Sequence, residues 1–530
     1  MRIVNVESRI RPWLFFLNVM REKLRIVLLM AVTFAIAGMI IIAAAAIKTR
    51  QKKTIGYTDI DNFEGIYVPA DENPGLFFDT TGYITGSGVC IFLPCTADES
   101  RLVFYSTGKN GEFLERFEHD FSEGALDIEG VSIYTMHSDF PSINLSIAPS
   151  SPSINDVESS KDHSVETNGT FEIRDISGNR VSELMTMRGR GNTSWLEDKK
   201  SFQVTLEKSQ DVLGMGKAKK WILIANAKDH TLLRNEVFLS LADKLGLAYT
   251  PKLRQVDLFI NGEYNGTYSL CTKVENAKNR VELGDGDYLY RIGADKDEYS
   301  FFLYDDLTKK GTEEYAPIYG ELRDSKDRGK ISKASIYLKN VVNELYEPDS
   351  TLDDCDLESF AKYYWLQEYS KTTDPTLRSV YMYWKNDEQK MYMGPAWDYD
   401  RTAGIIEMPF REEDYQWPMG WTAREQDYYR FLFKNKTFTD AVDDMYYNGG
   451  VREAFIEVSK ELPGRIDAIS RSAEMNFVRW NVLYQQESNK IAETYGDTSH
   501  ESHLKWLTDW LRLRSEWIED EMKMPDTRHK

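Results

Sequence analysis

Three aspartates, Asp374, Asp398 and Asp400, are spaced so that one hairpin would gather them. Residues 379–385 and 390–397 alternate between aromatic or apolar and polar side chains. The turn-like Asn386-Asp387-Glu388 joins them, which predicts an antiparallel hairpin. The midpoint between Asp374 and Asp398 falls on that turn, so closing the hairpin carries both carboxylates to its open end. Asp400, two residues further on, points to the side of Asp398 in strand geometry. Gathered carboxylates repel one another and lose hydration, so such a cluster serves chiefly to hold a cation or move a proton. A magnesium or manganese ion, which takes one or two carboxylates together with phosphate oxygens and water, accounts for the trio better than a plain strand-end turn.

Two further segments carry cations. Arg188-Gly189-Arg190-Gly191-Asn192 follows a predicted strand, and Asp198-Lys199-Lys200 opens the next one. Paired glycines let backbone N–H groups approach a phosphate, and a lysine on the neighbouring strand can neutralise it. No Gly-Lys-Ser/Thr follows, so this is not a Walker loop, and an ordinary turn with solvated charges explains the segment equally well. Arg234 shares a flank with Phe238, Leu241 and Leu245 on a helix predicted over 231–245, capped by Thr231 and ended by Gly246. A guanidinium on an otherwise apolar flank needs an anion, either a structural carboxylate or a phosphate at the helix N-terminus. Gly284-Asp285-Gly286-Asp287 is too short for a hand-type calcium loop and reads as a turn.

The elements that must position these groups begin with a basic tail, residues 1–25. Residues 26–47 are uncharged and long enough to span a bilayer. This predicts a single-pass anchor with the bulk of the chain on the extracytoplasmic side, since six Lys/Arg precede the span and four follow. Residues 1–53 hold ten Lys/Arg and two Glu; the remainder holds 55 Lys/Arg and 83 Asp/Glu. So acidic a body excludes nucleic acid as a partner and suits cations or basic proteins. The four cysteines, 90, 95, 271 and 355, match no zinc spacing and read as small buried hydrophobes, with a Cys90–Cys95 bridge as the alternative. Of seven histidines only His500 and His503 are near in sequence, which argues against a histidine-based hydrolase.

After a linker at 48–55, residues 56–148 read as a small β-sandwich and 149–166 as a linker loop. Strands dominate from 167 to about 325, and helices thereafter. The last helix carries Trp506, Trp510, Leu513 and Trp517 on one stripe, expected in the core. A β-rich half followed by a helical half predicts a two-lobed α+β protein with a cleft between the lobes.

Read together, M-R-G-R-G-N-T-S-W, D-K-K-S-F, W-I-L-I-A-N, T-L-L-R-N, L-G-L-A-Y-T-P, V-D-L-F-I-N-G-E-Y-N-G-T-Y-S-L and G-P-A-W-D-Y-D resemble the CotH family, the spore-coat-protein kinases among the atypical protein kinases. The resemblance covers roughly 140–525. It implies a bilobal kinase-like domain, here 167–525, that transfers phosphate from ATP to serines of proteins. By that resemblance Asp398 is the metal-binding aspartate, with Asp400 its companion, and Asp374 orients and deprotonates the acceptor hydroxyl. Ser379 stands where typical kinases place a metal-binding Asn. Lys200 or Lys199 takes the place of the phosphate-contacting lysine, the Gly189–Gly191 turn covers the nucleotide beside Arg190 and Arg234, and Glu275 lies at the hinge. The rival readings are an inactive adhesion or scaffold protein on a degenerate kinase fold and a D-x-D glycosyltransferase, which would need a parallel βαβ order that the chain lacks.

Overall fold

A computed structural model of the chain describes residues 64–128, 130–293, 296, 298–306, 316–376, 378–405, 415–483 and 489–524. The described residues form one compact unit. The expected membrane span at 26–47 lies outside the described residues; among those, no helix is long and apolar enough to cross a membrane.

The first seven strands are Gly65–Val68 (β1), Thr80–Thr85 (β2), Gly88–Leu93 (β3), Leu102–Thr107 (β4), Phe113–His119 (β5), Leu126–Ile128 (β6) and Val131–His137 (β7). They make one sheet in the order β5-β4-β1-β2-β3-β7-β6, rather than a sandwich of two sheets. The reason lies in what covers it. Phe78, Cys90 and Phe92 pack against Phe259, Tyr264 and Met475 from later in the chain, so the sheet buries a face on other elements instead of on a second sheet of its own.

Seven more strands close a barrel: Ser142–Ile147 (β8), Glu166–Arg174 (β9), Arg180–Arg190 (β10), Ser201–Asp211 (β11), Lys217–Ile224 (β12), Leu253–Ile260 (β13) and Glu263–Thr272 (β14), in the order β10-β11-β12-β14-β13-β8-β9. β8 runs parallel to β13 and antiparallel to β9. The chain therefore passes from sheet to barrel between His137 and Ser142, not at 149. Alternating side chains such as Phe171, Met187, Phe202, Trp221 and Leu258 fill the barrel interior. The 149–166 connection contains a short helix, Ile154–Ser159 (α1), held by a reciprocal Ser153/Asp156 capping box.

The remaining strands, Tyr288–Gly293 (β15), Ser300–Asp306 (β16), Ala316–Leu322 (β17), Val380–Lys385 (β18) and Lys390–Met393 (β19), form a five-stranded sheet. The later helices are Arg234–Lys244 (α2), Arg328–Tyr346 (α3), Leu357–Ser370 (α4), Tyr429–Leu432 (α5), Lys436–Tyr447 (α6), Val451–Arg479 (α7), Asn489–Tyr495 (α8) and His500–Met522 (α9). The α+β composition is as the sequence predicts. α4 is the buried spine: every residue from Tyr363 to Ser370 is covered. Its Glu368 meets Arg514 of α9 at 2.8 Å, both fully buried. Trp506 and Trp510 of α9 are core residues, as their spacing predicts, whereas Leu513 is exposed and Trp517 packs edge-on against Trp421. All four cysteines are buried free thiols, so the bridge alternative does not hold.

Candidate active site

Hairpin β18–β19 pairs Lys385 with Lys390 and Met382 with Met393, so it closes on 386–389 and opens toward Asp374 and Asp398. Its second arm stops at Met393, earlier than the sequence pattern predicts, because Pro395 has no N–H with which to continue a ladder. Asp398 adopts a left-handed backbone, φ 73°, with its side chain exposed. A non-glycine residue there carries a local conformational cost, of the kind that persists where a side chain's direction matters. Ser379 Oγ donates to Asp398 Oδ2 at 2.6 Å. Oδ1 accepts no hydrogen bond from a described residue.

Asp374 is partly buried, and that burial pushes its carboxyl above the usual carboxylate range. Arg378, paired with it at 2.5 Å, pulls in the opposite direction. The charges of Asp398 and Arg401 also reach it, the first raising and the second lowering it. The open end of the hairpin thus brings Asp374, Ser379 and Asp398 into one electrostatic neighbourhood.

Two residues on other helices fix its geometry. Gln367 of α4, buried, accepts from Tyr399 Oη at 2.9 Å and donates to the Pro375 carbonyl at 3.2 Å. One side chain thereby sets the spacing between the residue after Asp374 and the residue after Asp398. Asn235 of α2 accepts from the Tyr399 N–H at 2.9 Å. Next to it, Arg234 is fully buried, meets Asp229 Oδ1 at 2.6 Å and donates from Nε to the Thr402 carbonyl at 2.9 Å. Of the two anions the sequence leaves open, the structural carboxylate is the one observed. Asp400 lies on this side, where its charge favours the charged guanidinium against burial.

Residues 188–190 belong to the end of β10 rather than to a loop, with Gly189 opposite Phe202 and Arg190 opposite Ser201. Gly189 makes room for an indole: a Cβ there would stand 2.2 Å from the Trp195 ring. Gly191, at φ 118°, begins the turn itself. This turn reaches the acids. The Arg190 guanidinium lies 5.1 Å over the Trp397 ring; burial pushes it below its usual range, and the charges of Tyr381 and Asp398 pull the other way. Arg401 Nη2 donates to Thr193 Oγ1 at 2.8 Å.

The other expected residues are engaged elsewhere. Lys199 is buried and donates to the Thr267 carbonyl and to Asn476 Oδ1; burial pushes its ammonium down to about 7, against the pull of Asp257. Lys200 donates to the Trp195 carbonyl at 2.6 Å. Glu275 is buried between Lys220 and Lys273, at 2.9 and 3.6 Å. Nothing in the sequence singles out Arg378, and little singles out Arg401. Arg378 follows Asp374 by four residues, but the segment is not helical, so the spacing carried no signal. Arg401 had one cue, its place directly after Asp398-Tyr399-Asp400.

Among the described residues no three His, Cys, Asp or Glu side chains converge as a ready-made metal cage. What remains is an α+β frame in which Asp374 and Asp398 stand near Arg190, Arg378 and Arg401. A family model described as CotH kinase protein matches residues 187–518. The chain belongs to the CotH kinase family, which makes it a kinase-like protein. A comparison with curated proteins finds no match.

Proposed function

We propose that the chain is a metal-dependent protein kinase that transfers the terminal phosphate of ATP to serine hydroxyls. The observation that carries this reading is the exposed Asp398, held by Ser379 at 2.6 Å with one carboxylate oxygen open, beside a second, protein-paired carboxylate, Asp374. The oxygen-only donor set fits magnesium or manganese, which binds through one or two carboxylates and completes its shell with phosphate and water. Asp398 would hold the ion, with Ser379 orienting it; the ion supplies neutralisation of charge on the phosphates. Asp374 accepts the proton of the serine hydroxyl, whose oxygen bonds to the terminal phosphorus as the bond from phosphorus to the bridging oxygen breaks and ADP leaves. The raised proton affinity of Asp374 suits a group that takes up a proton.

In this reading the nucleotide lies between the turn after β10 and the acid end of the hairpin, in a two-lobed kinase-like arrangement. The acidic body favours basic serine-bearing protein substrates, and residues 26–47 anchor it as a single-pass membrane protein with its bulk extracytoplasmic. Purified chain incubated with ATP and Mg²⁺ or Mn²⁺ should yield phosphoserine by mass spectrometry. Asp398→Ala should abolish metal-dependent nucleotide binding in calorimetry. Asp374→Ala should keep that binding and reduce turnover by about 10²-fold or more. Equal signal from the native chain and both variants would sink the reading, and no signal from the native chain would leave the scaffold alternative in its place.

A further inference from the structure

Arg190, Arg378 and Arg401 come from three separate segments, the end of β10, the mouth of the hairpin and the residue after Asp400. They converge on the two carboxylates. Arg378 pairs with Asp374 at 2.5 Å, Arg401 lies within reach of the charge of Asp374, and Arg190 within reach of that of Asp398. In a chain of net charge -20, three guanidiniums gathered at one end of a hairpin stand out. The lysines that could have served here, Lys199 and Lys200, hold backbone carbonyls instead.

The arginines differ in how they are held. Arg190 is stacked on Trp397 and Arg401 is bonded to Thr193, so these two join the turn to the acid segment. Arg378 is half-exposed, with a left-handed backbone at φ 68°, and among the described residues its one ion pair is to the partly buried Asp374. The pair occupies one edge of a half-exposed guanidinium, which has five N–H donors and can offer the others to a second anion. A planar fork of N–H groups matches phosphate oxygens two at a time.

We propose that Arg378 and Arg401, together with Arg190, clamp the terminal phosphate of the nucleotide, so that the site selects a nucleoside triphosphate over the diphosphate it leaves behind. This inference rests on the kinase reading above and adds to it the residues that distinguish substrate nucleotide from product. It also places the departing phosphate's charge beside Asp374, where the hydroxyl must arrive.

The test is calorimetry of the purified full chain with ATP and with ADP, each with Mg²⁺. Arg378→Ala and Arg401→Ala should each weaken ATP binding by about tenfold or more, as expected for loss of a charged hydrogen bond. ADP binding should change by less than about twofold, and Arg378→Lys should recover part of the loss. A merely structural role would weaken both nucleotides alike and leave the ATP-to-ADP ratio unmoved, which would overturn the clamp. Because Arg378 is half-exposed, its variants keep the test valid even if Arg401→Ala unfolds, as melting temperature would reveal. An unchanged ratio in the Arg378 variants, with nucleotide binding lost in Asp398→Ala, overturns the clamp and leaves the kinase reading standing. A native chain that binds neither nucleotide overturns both.

Discussion

Replacing Asp229 by Asn should both destabilise the protein and slacken the acid site. Asp229 Oδ1 meets Arg234 Nη1 at 2.6 Å, with both side chains fully buried. The same carboxylate accepts the N–H groups of Thr231 at 3.0 Å and Arg234 at 2.7 Å, so it also organises the start of α2. Asparagine keeps the shape and loses the charge. Arginine cannot shed its proton, so the guanidinium is left buried and uncompensated, a loss that typically costs about 3–5 kcal/mol. Replacing both members of a buried pair costs far less than the two losses added together. In Asp229→Asn/Arg234→Met the stranded charge is gone, while the Thr402 carbonyl loses one donor, for about 1–3 kcal/mol. A double-mutant cycle by urea unfolding should therefore show coupling of at least about 3 kcal/mol, with the double variant no less stable than Asp229→Asn alone. Additive losses, with coupling below about 0.5 kcal/mol, would refute the claim that these charges sustain each other.

Gln367→Leu removes the bridge between Tyr399 Oη and the Pro375 carbonyl, leaving both buried groups short of a partner, for about 2–4 kcal/mol in urea unfolding. Turnover should fall more than nucleotide affinity, because the spacing of Asp374 from Asp398 is what slips; unchanged turnover in a folded variant would speak against Gln367 as a positioning residue. Acid should unfold the protein through α9. Burial pushes His500 down to about 4 and His503 down to about 2, and the ring of His230 lies 4.8 Å from that of His503. Both values lie below the usual 6.5, so the unfolded chain takes up protons first and the stability present above pH 6.5 is lost as pH falls toward 4. Each histidine contributes up to about 1.4 kcal/mol per pH unit in that window. Unfolding titrations from pH 7 to 5 should show this slope, halved in His503→Gln, and an equal slope in that variant would contradict the assignment.

The local features were legible in the sequence. The hairpin and its closing turn, the helix of Arg234 and the tryptophan stripe of α9 each follow from a periodicity confined to some twenty residues. What the sequence did not disclose depends on partners far along the chain. β8 looks like one more short strand of the preceding module, yet its neighbour β13 begins more than a hundred residues later. Gly189 has a phosphate-loop spacing, but the indole of Trp195 explains its missing side chain. His230 and His503 meet although 273 positions separate them in the sequence, and no pattern in either segment announces it. Arg234 shows how far composition reaches: its demand for an anion was readable, and which anion answered it was not.

The parallel pairing of β8 with β13 also decides where this protein can be divided. Only four residues of chain, 138–141, lead from the N-terminal sheet into the barrel, so a recombination event that kept everything from residue 149 onward would carry off a stave with the sheet. β9 and β13 would then be two facing free edges, with the backbone groups of Asp257 to Ile260 unpaired on one side. Such edges recruit whatever strand is at hand, most readily the β8 of another copy. A division between His137 and Ser142 cuts no strand ladder, but it strips Phe78, Cys90 and Phe92 from Phe259, Tyr264 and Met475, so the sheet and the barrel part only at the cost of a shared core.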